Sequence, residues 1–561
     1  MAVRNVVERA MAASGLIPEA EVRFGRHDAV QSGGVLLAVP ALLGHGLLEA
    51  SGIYEPFPAG YYGLEQVLML LGFMALLRIK CPEQLKGCQP GELGKVLGLD
   101  RAPEAKTLRR KIGLLVSQQK ADEYQRALLE KWTQEDPCAF FYVDGHVRVY
   151  NGSEANLGKK YVSRQKLCLA GTTEYWVNDG TGLPLMCVVG QLNEKLREAI
   201  EHHIVPQLLR DAHLPPLTGP DEPRLTLVFD REAYEPAFFA RLWDNHRIAV
   251  VTYRKNMKDK WPEDDFHSFD TQVIGNNVSM RLCERAVTLG GHQFREVRRL
   301  NEGGHQVGIL TTHPGIGMAE VAGRVFSRWS QENFFRYMLQ DYGFDRLLQY
   351  GTEELPPETV VVNPAYSRLS QKIKKENEKM RRLQARMHEL VEREADKPIE
   401  DMAKFMAANS KTTDAIKAHK DRIEALTAER AAIPARIKIK DMPEGTRYNK
   451  LKTESKMLIN IVRMVAYRAE TAMLNLIMPH YNNSQKDGRM LVKSILSADA
   501  DIIPDNEAKT LTVVLHTQAT PRGNEAAKEL CKIMTDTEVV YPGTNLRMIF
   551  KTHSSQSEER Q

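Results

Sequence analysis

The chain has 561 residues, 43% hydrophobic and 26% charged, with a formal net charge of +4. That length exceeds one ordinary core and predicts two to four domains of a soluble globular protein, while the charge permits a nucleic-acid partner without demanding one. Seven cysteines, none in a CxxC pair, argue against a zinc knuckle or a disulfide scaffold and for reduced thiols.

Residues 1–135 read as an all-α region. Within "LEQVLMLLGFMALLRI" the apolar run at 67–79 is a core helix, too short to span a bilayer. No signal pattern precedes it, so a cytoplasmic protein without a membrane partner is expected. Next, "GELGKVLGLDRAPEAKTLRRKIGLLVSQ" gives a short helix, a Pro-containing turn and a longer helix bearing Lys106, Arg109, Arg110 and Lys111. The order is that of a helix-turn-helix. Its cations either contact DNA phosphates or line a solvated helix face.

Residues 136–256 alternate strands and helices. "FFYVDGHVRVY" (140–150) is a strand with Asp144 at its middle, followed by "KLCLAGTTEYWVND" and "GLPLMCVVG" across an Asn-Asp-Gly turn. The amphipathic helix "LNEKLREAIEHHIVPQLLRDA" leads to "RLTLVFD", a short strand ending in Asp230. A helix, "YEPAFFARLWDN", and a strand, "RIAVVTYRK", complete the block, with Arg254, Lys255 and Lys258 as candidate phosphate ligands. Residues 257–313 read as a β-rich insertion. Over 314–350 the pattern returns to helix, which carries Glu332.

Within 366–440, Leu369, Ile373, Glu376, Met380, Leu383, Met387 and Leu390 repeat at alternating spacings of four and three. Ile416, His419, Ile423, Leu426, Arg430, Ile433 and Ile437 run on nearly the same period. Two such helices divided at Pro398 predict an antiparallel coiled-coil hairpin. The segment holds 19 Lys and Arg against 12 Asp and Glu, so it is basic enough to track DNA or simply to stay soluble, and its heptads also allow dimerisation. Residues 446–561 predict a long helix and a small α/β tail.

An acid inside a strand requires compensation. If the first and fourth strands of the mixed block are neighbours, Asp144 and Asp230 converge, and Glu332 lies on the helix that follows. Three convergent carboxylates repel one another unless a cation joins them, and hard oxygen donors suit Mg²⁺ or Mn²⁺. Two such ions serve in-line phosphoryl displacement. Singly, each acid has an ordinary reading: a turn residue (Asp144), a helix N-cap (Asp230), a surface helix acid (Glu332, with Glu320 a rival).

"FFYVDGHVRVY", "LTLVFDREAY" and "RWSQENFFRYM" resemble the three acidic motifs of the DDE transposases of bacterial insertion sequences. The closing "ATPRGNEAAKELCKIMTDTEVVYPGTNLRMIF" resembles the tail of such enzymes. The resemblance implies an RNase H-like (retroviral-integrase-like) α/β core, with the 257–313 block where many members carry an insertion domain. It implies a metal-binding triad of Asp144, Asp230 and Glu332 holding two Mg²⁺ (Mn²⁺ substituting), and Arg328 facing DNA one turn before Glu332. The activity implied is DNA cleavage and strand transfer by a dimer or larger synaptic assembly. Val325 and Leu339 stand where many cut-and-paste members have tyrosine and lysine. A nuclease that cuts without joining and a catalytically silent DNA-binding protein are the alternatives. Trp329 reads as a core residue or a base-stacking one.

Overall fold

The computed structural model describes residues 5–553, apart from 151–156, 158, 163–166, 191–193, 218, 220, 345–351, 395–403, 405–406, 408, 444–446 and 482–483. Two compact units result. The first comprises 1–150, 171–351 and 452–561; the second comprises 151–170 and 352–451.

The first unit is built on a large mixed sheet. Its strands are β2 (Phe140–Val149), β3 (Leu167–Asn178, of which 171–178 belong here), β4 (Pro184–Gly190), β5 (Leu225–Phe229) and β6 (Ile248–Tyr253). They continue as β7 (His267–Val273), β8 (Asn276–Leu289), β9 (His292–Leu300) and β10 (Gln306–Thr311). A further short strand, β1 (His27–Val30), lies elsewhere in the unit. The order across the sheet is β4-β3-β2-β5-β6-β10-β9-β8-β7. Among the described strands of this sheet, β2–β5 and β5–β6 pair in parallel and the rest antiparallel. Parallel neighbours need a crossover connection, and the helical segment at 196–211 and α4 (Pro236–His246) supply the two.

Strand periodicity divides the centre of this sheet between two cores. Phe141, Val143, Leu227, Phe229 and Val250 enter the large core. The intervening Tyr142, Val228 and Val251 enter a smaller one with Val321, Ala322 and Val325 of α5 (Met318–Ser327). After a break at Arg328 comes α6 (Trp329–Gln340).

The 257–313 block is not a separate domain. Its strand β10 pairs antiparallel with β6, Ile309 opposite Tyr253, and so prolongs the central sheet. A β6 edge left open would expose unpaired backbone groups, and β10 satisfies them.

The N-terminal and C-terminal segments also fail to separate. β1 pairs with β11 (Ala500–Asp505), which lies beside β12 (Thr510–Leu515) and then β13 (Arg547–Thr552). The region before residue 135 is therefore not all helical. Its helix α1 (Leu64–Leu76) packs on α7 (Glu454–Tyr481), whose buried residues run all round its axis. A helix buried on every side requires cover on every side, which draws both ends of the chain together. Between them in sequence lie α2 (Pro90–Val96) and α3 (Ala105–Ser117), the helix-turn-helix-like pair.

In the second unit, helices Pro364–Glu394 and Ser410–Ala431 form the antiparallel hairpin. Tyr366 meets Arg430, and Glu376 accepts a 2.6 Å bond from His419, so early residues of one helix face late residues of the other. The polar positions of the two heptad seams thus meet each other. Short antiparallel pairings, Val360–Val362 with Arg436–Lys438 and Thr352–Glu354 with Asn449–Leu451, continue the hairpin at its base. Pro398 lies outside the described residues.

Candidate active site

The parallel register of β2 and β5 places Val143 opposite Phe229. Asp144 is the next residue on β2, and Asp230 follows the end of β5. Both lie two residues beyond members of the smaller core (Tyr142 and Val228), so period two directs them to the face that α5 covers. Asp144 is mostly buried and Asp230 half-buried.

Each acid has local support. Asp144 Oδ1 accepts from the Gly145 amide at 2.9 Å. The Tyr175 ring packs closely over Gly145, where a Cβ would come within 3.2 Å of that ring. Asp230 does cap a turn, its Oδ1 accepting from the Glu232 amide at 2.7 Å, while Thr252 Oγ1 donates to its carbonyl. Its other oxygen is left for further bonding, so the capping and ligand readings are compatible.

Glu332 lies in the first turn of α6. Arg328 Nη1 donates to Asp144 Oδ2 at 3.2 Å and its Nη2 to Glu332 Oε1 at 2.9 Å. Arg328, only 13% exposed, thus faces the carboxylates rather than standing free toward a DNA surface. Burial pushes the Asp144 carboxyl up to about 6; Arg328 opposes this, and the nearby Asp230 and Glu232 charges reinforce it. One guanidinium leaves the cluster short of positive charge. The oxygens of Asp144, Asp230 and Glu332 are not gathered within 4.8 Å of one another. Arg328 occupies the position between Asp144 and Glu332, and its Nε is buried without a hydrogen-bond partner. Carboxylate oxygens are the donor type a hard divalent cation takes, but in this arrangement Arg328 stands between two of the three acids.

Gln331 escaped the sequence reading. Fully buried, it shares its amide protons among Tyr142 O (3.2 Å), Trp176 O (3.1 Å) and Asn178 Oδ1 (3.1 Å). Tyr142 and Trp176 are on β2 and β3, and Trp176 is the cross-strand partner of Asp144. The side chain therefore fixes α6 against the strands that carry the first acid. Its signal was periodicity: Gln331, Phe334, Phe335 and Met338 form the buried stripe of α6, with one amide among apolar residues. Behind α6, Glu470 of α7 is completely buried and accepts from Arg78, Tyr337 and Tyr342.

Other expectations fare differently. Arg254 is not available to phosphate: it pairs at 2.6 Å with Glu296, a fully buried acid that also takes Arg298. A carboxylate buried in a sheet demands such partners. Lys255 lies 5.8 Å from the Tyr234 ring centre, and Lys258 is exposed. On α3, Lys106, Arg109 and Arg110 are exposed, with Arg109 paired to Glu83, while Leu108, Ile112 and Leu115 are buried. Lys111 departs from that group, turning inward over Phe57. Trp329 is 55% exposed, so it is not a core residue. Glu320 pairs with Arg324 on its own helix.

No helix among the described residues is long and apolar enough to cross a membrane. No curated protein matches the chain. A family model described as "Transposase protein" matches residues 2–554, nearly the full length. With that extent of match, the chain belongs to this transposase family.

Proposed function

We propose that this transposase is of the DDE type, with an RNase H-like core and a catalytic triad of Asp144, Asp230 and Glu332. The observation that carries the reading is the parallel pairing of β2 with β5, which sets Asp144 and Asp230 side by side. The order β4-β3-β2-β5-β6, antiparallel then parallel, supports the RNase H-like assignment, as does a helix bearing the third acid and tied to the first through Arg328.

The three carboxylates would hold Mg²⁺ or Mn²⁺, two ions per site. Bound there, the metal supplies activation of the attacking oxygen and stabilisation of the leaving one. The protein's share is positioning. Gln331 and Glu470 fix α6, Asp144, Asp230 and Glu332 would hold the ions, and Arg328 adds a fixed positive charge beside them. In cleavage, water oxygen bonds to phosphorus as the 3′-oxygen departs with its electron pair. In joining, a freed 3′-hydroxyl takes the place of water and a target-strand oxygen departs.

Lys106 and Arg110 on α3, Lys255 and Lys258 near the site, and the basic hairpin are the proposed DNA grips, with Trp329 placed to stack on a displaced base. Since two DNA ends must be paired, a dimer or larger assembly is expected. The test uses DNA carrying both flanks of the native gene, incubated with Mg²⁺ or Mn²⁺ and either wild type or Asp230→Asn. Metal-dependent cut and joined strands, absent with the variant, are expected. Cutting without joined products would favour a nuclease, and salt-sensitive binding without cutting a silent DNA-binding protein.

A further inference from the structure

A second cluster of ligating side chains lies far from the carboxylates in sequence, at one end of the sheet formed by β1, β11, β12 and β13. Asp501 is on β11 opposite Val514. His516 follows β12, and His553 follows β13; the parallel register sets Leu515 opposite Thr552, so the two histidines leave their strands side by side. Their rings are 4.6 Å apart, edge to face. Both Nε2 atoms converge on one carboxylate: His516 at 2.9 Å from Oδ1 and His553 at 3.2 Å from Oδ2. One ligand atom from each of the three lies within 4.8 Å of the others, a spacing the proposed catalytic acids do not reach.

We propose that Asp501, His516 and His553 form a binding site for a divalent transition-metal ion of the zinc class. Two imidazoles and one carboxylate make a borderline donor set that suits Zn²⁺, Co²⁺ or Fe²⁺ and leaves a position for water. Mg²⁺, which dehydrates reluctantly and favours oxygen, does not compete for it. The two sites therefore differ in the metal they select. The carboxylate is also held from behind, since the Ala29 amide of β1 donates to Oδ1 at 2.8 Å. Such a support orients a ligand before metal arrives. The ion would join β11, β12 and β13 directly, and β1 through that amide, fastening sequence-distant parts of the unit at one point. In its absence Asp501 is hydrogen-bonded to His516 and paired with His553, and the experiment separates these two roles.

Full-length protein, tag removed, is titrated with Co²⁺ in excess Mg²⁺, which fills the carboxylate site. Wild type should bind one tight equivalent with a visible absorption band of low-coordinate nitrogen-oxygen ligation. His516→Gln and the more exposed His553→Gln should each weaken binding roughly tenfold or more. Asp144→Asn should bind as wild type does, which keeps this result independent of the transposase chemistry. Zn²⁺ should raise the Tm of wild type but not of His553→Gln, whose metal-free Tm serves as the folding control. No tight equivalent in wild type, or equal affinity and equal Tm shifts in folded His553→Gln, would overturn the proposal.

Discussion

Arg328 Nη1 lies 3.2 Å from Oδ2 of Asp144, and the same guanidinium reaches Glu332 through Nη2 at 2.9 Å. Two acids 188 positions apart in the chain are thereby joined by one planar cation. The geometry needs a fork of donors, which lysine lacks. Arg328→Lys keeps the charge but reaches only one acid at a time. Cleavage by Arg328→Lys is expected to fall at least about tenfold, consistent with loss of one charge-assisted bond of about 1.5–3 kcal/mol. Equal single-turnover rates for the variant and wild type would show that the bridge has no catalytic consequence.

The raised Asp144 carboxyl predicts a pH effect on stability in metal-free protein. Its folded-state value of about 6 lies above the ordinary 3.8, so the fold favours the protonated acid. This contribution is complete below about pH 4 and is lost as pH rises through about 6, a change on the order of 2–3 kcal/mol. Asp144→Asn should remove that component. With chelator present, the variant should be the more stable protein at pH 7 and lose the advantage at pH 4, as read by urea midpoints. A variant less stable than wild type at pH 7 would contradict the assignment.

Gln331→Leu preserves volume but removes every bond to Tyr142, Trp176 and Asn178. Destabilisation of about 1–3 kcal/mol is expected. Because the amide also sets the register of α6 on β2 and β3, activity should fall further than the remaining folded fraction explains. Denaturant unfolding together with cleavage rates at saturating DNA distinguishes the two losses.

In the basic hairpin, Glu376 and His419 are the polar positions of facing seams, 2.6 Å apart. The Lys379 ammonium and then His419 hold the Glu376 carboxyl below its usual range. Buried polar pairs in coiled coils specify register more than they stabilise. Glu376→Leu or His419→Leu alone should expose the hairpin to faster limited proteolysis. The double replacement should restore resistance while promoting self-association, measured by sedimentation. Failure of the double variant to recover resistance would show that the pair is needed for folding itself.

Lys106 and Arg110 project from the exposed side of α3. If they contact phosphates, Lys106→Glu and Arg110→Glu should weaken binding to all DNA sequences alike. Each should lower the salt dependence of log K by roughly one unit. An unchanged salt slope would reduce these cations to a solvated helix face.

Much of this protein is fixed by local pattern. Period two identifies β2, short apolar runs identify β5 and β6, and period 3.6 identifies α3 and α6. The alternating four-three spacing identifies the hairpin, because these periods follow from backbone geometry within a few residues. The acids stood out for the same reason, as charges inside apolar runs. Long-range pairing decided the rest. Whether 257–313 stood apart depended on hydrogen bonds between β10 and β6, and the union of the two chain ends depended on β1 meeting β11. The commitment of Arg254 to Glu296, the inward turn of Lys111 and the bridging role of Arg328 likewise arise from what surrounds each side chain. A cation's sequence neighbours do not reveal which buried carboxylate it must neutralise; that is set when strands and helices distant in sequence exclude water around both.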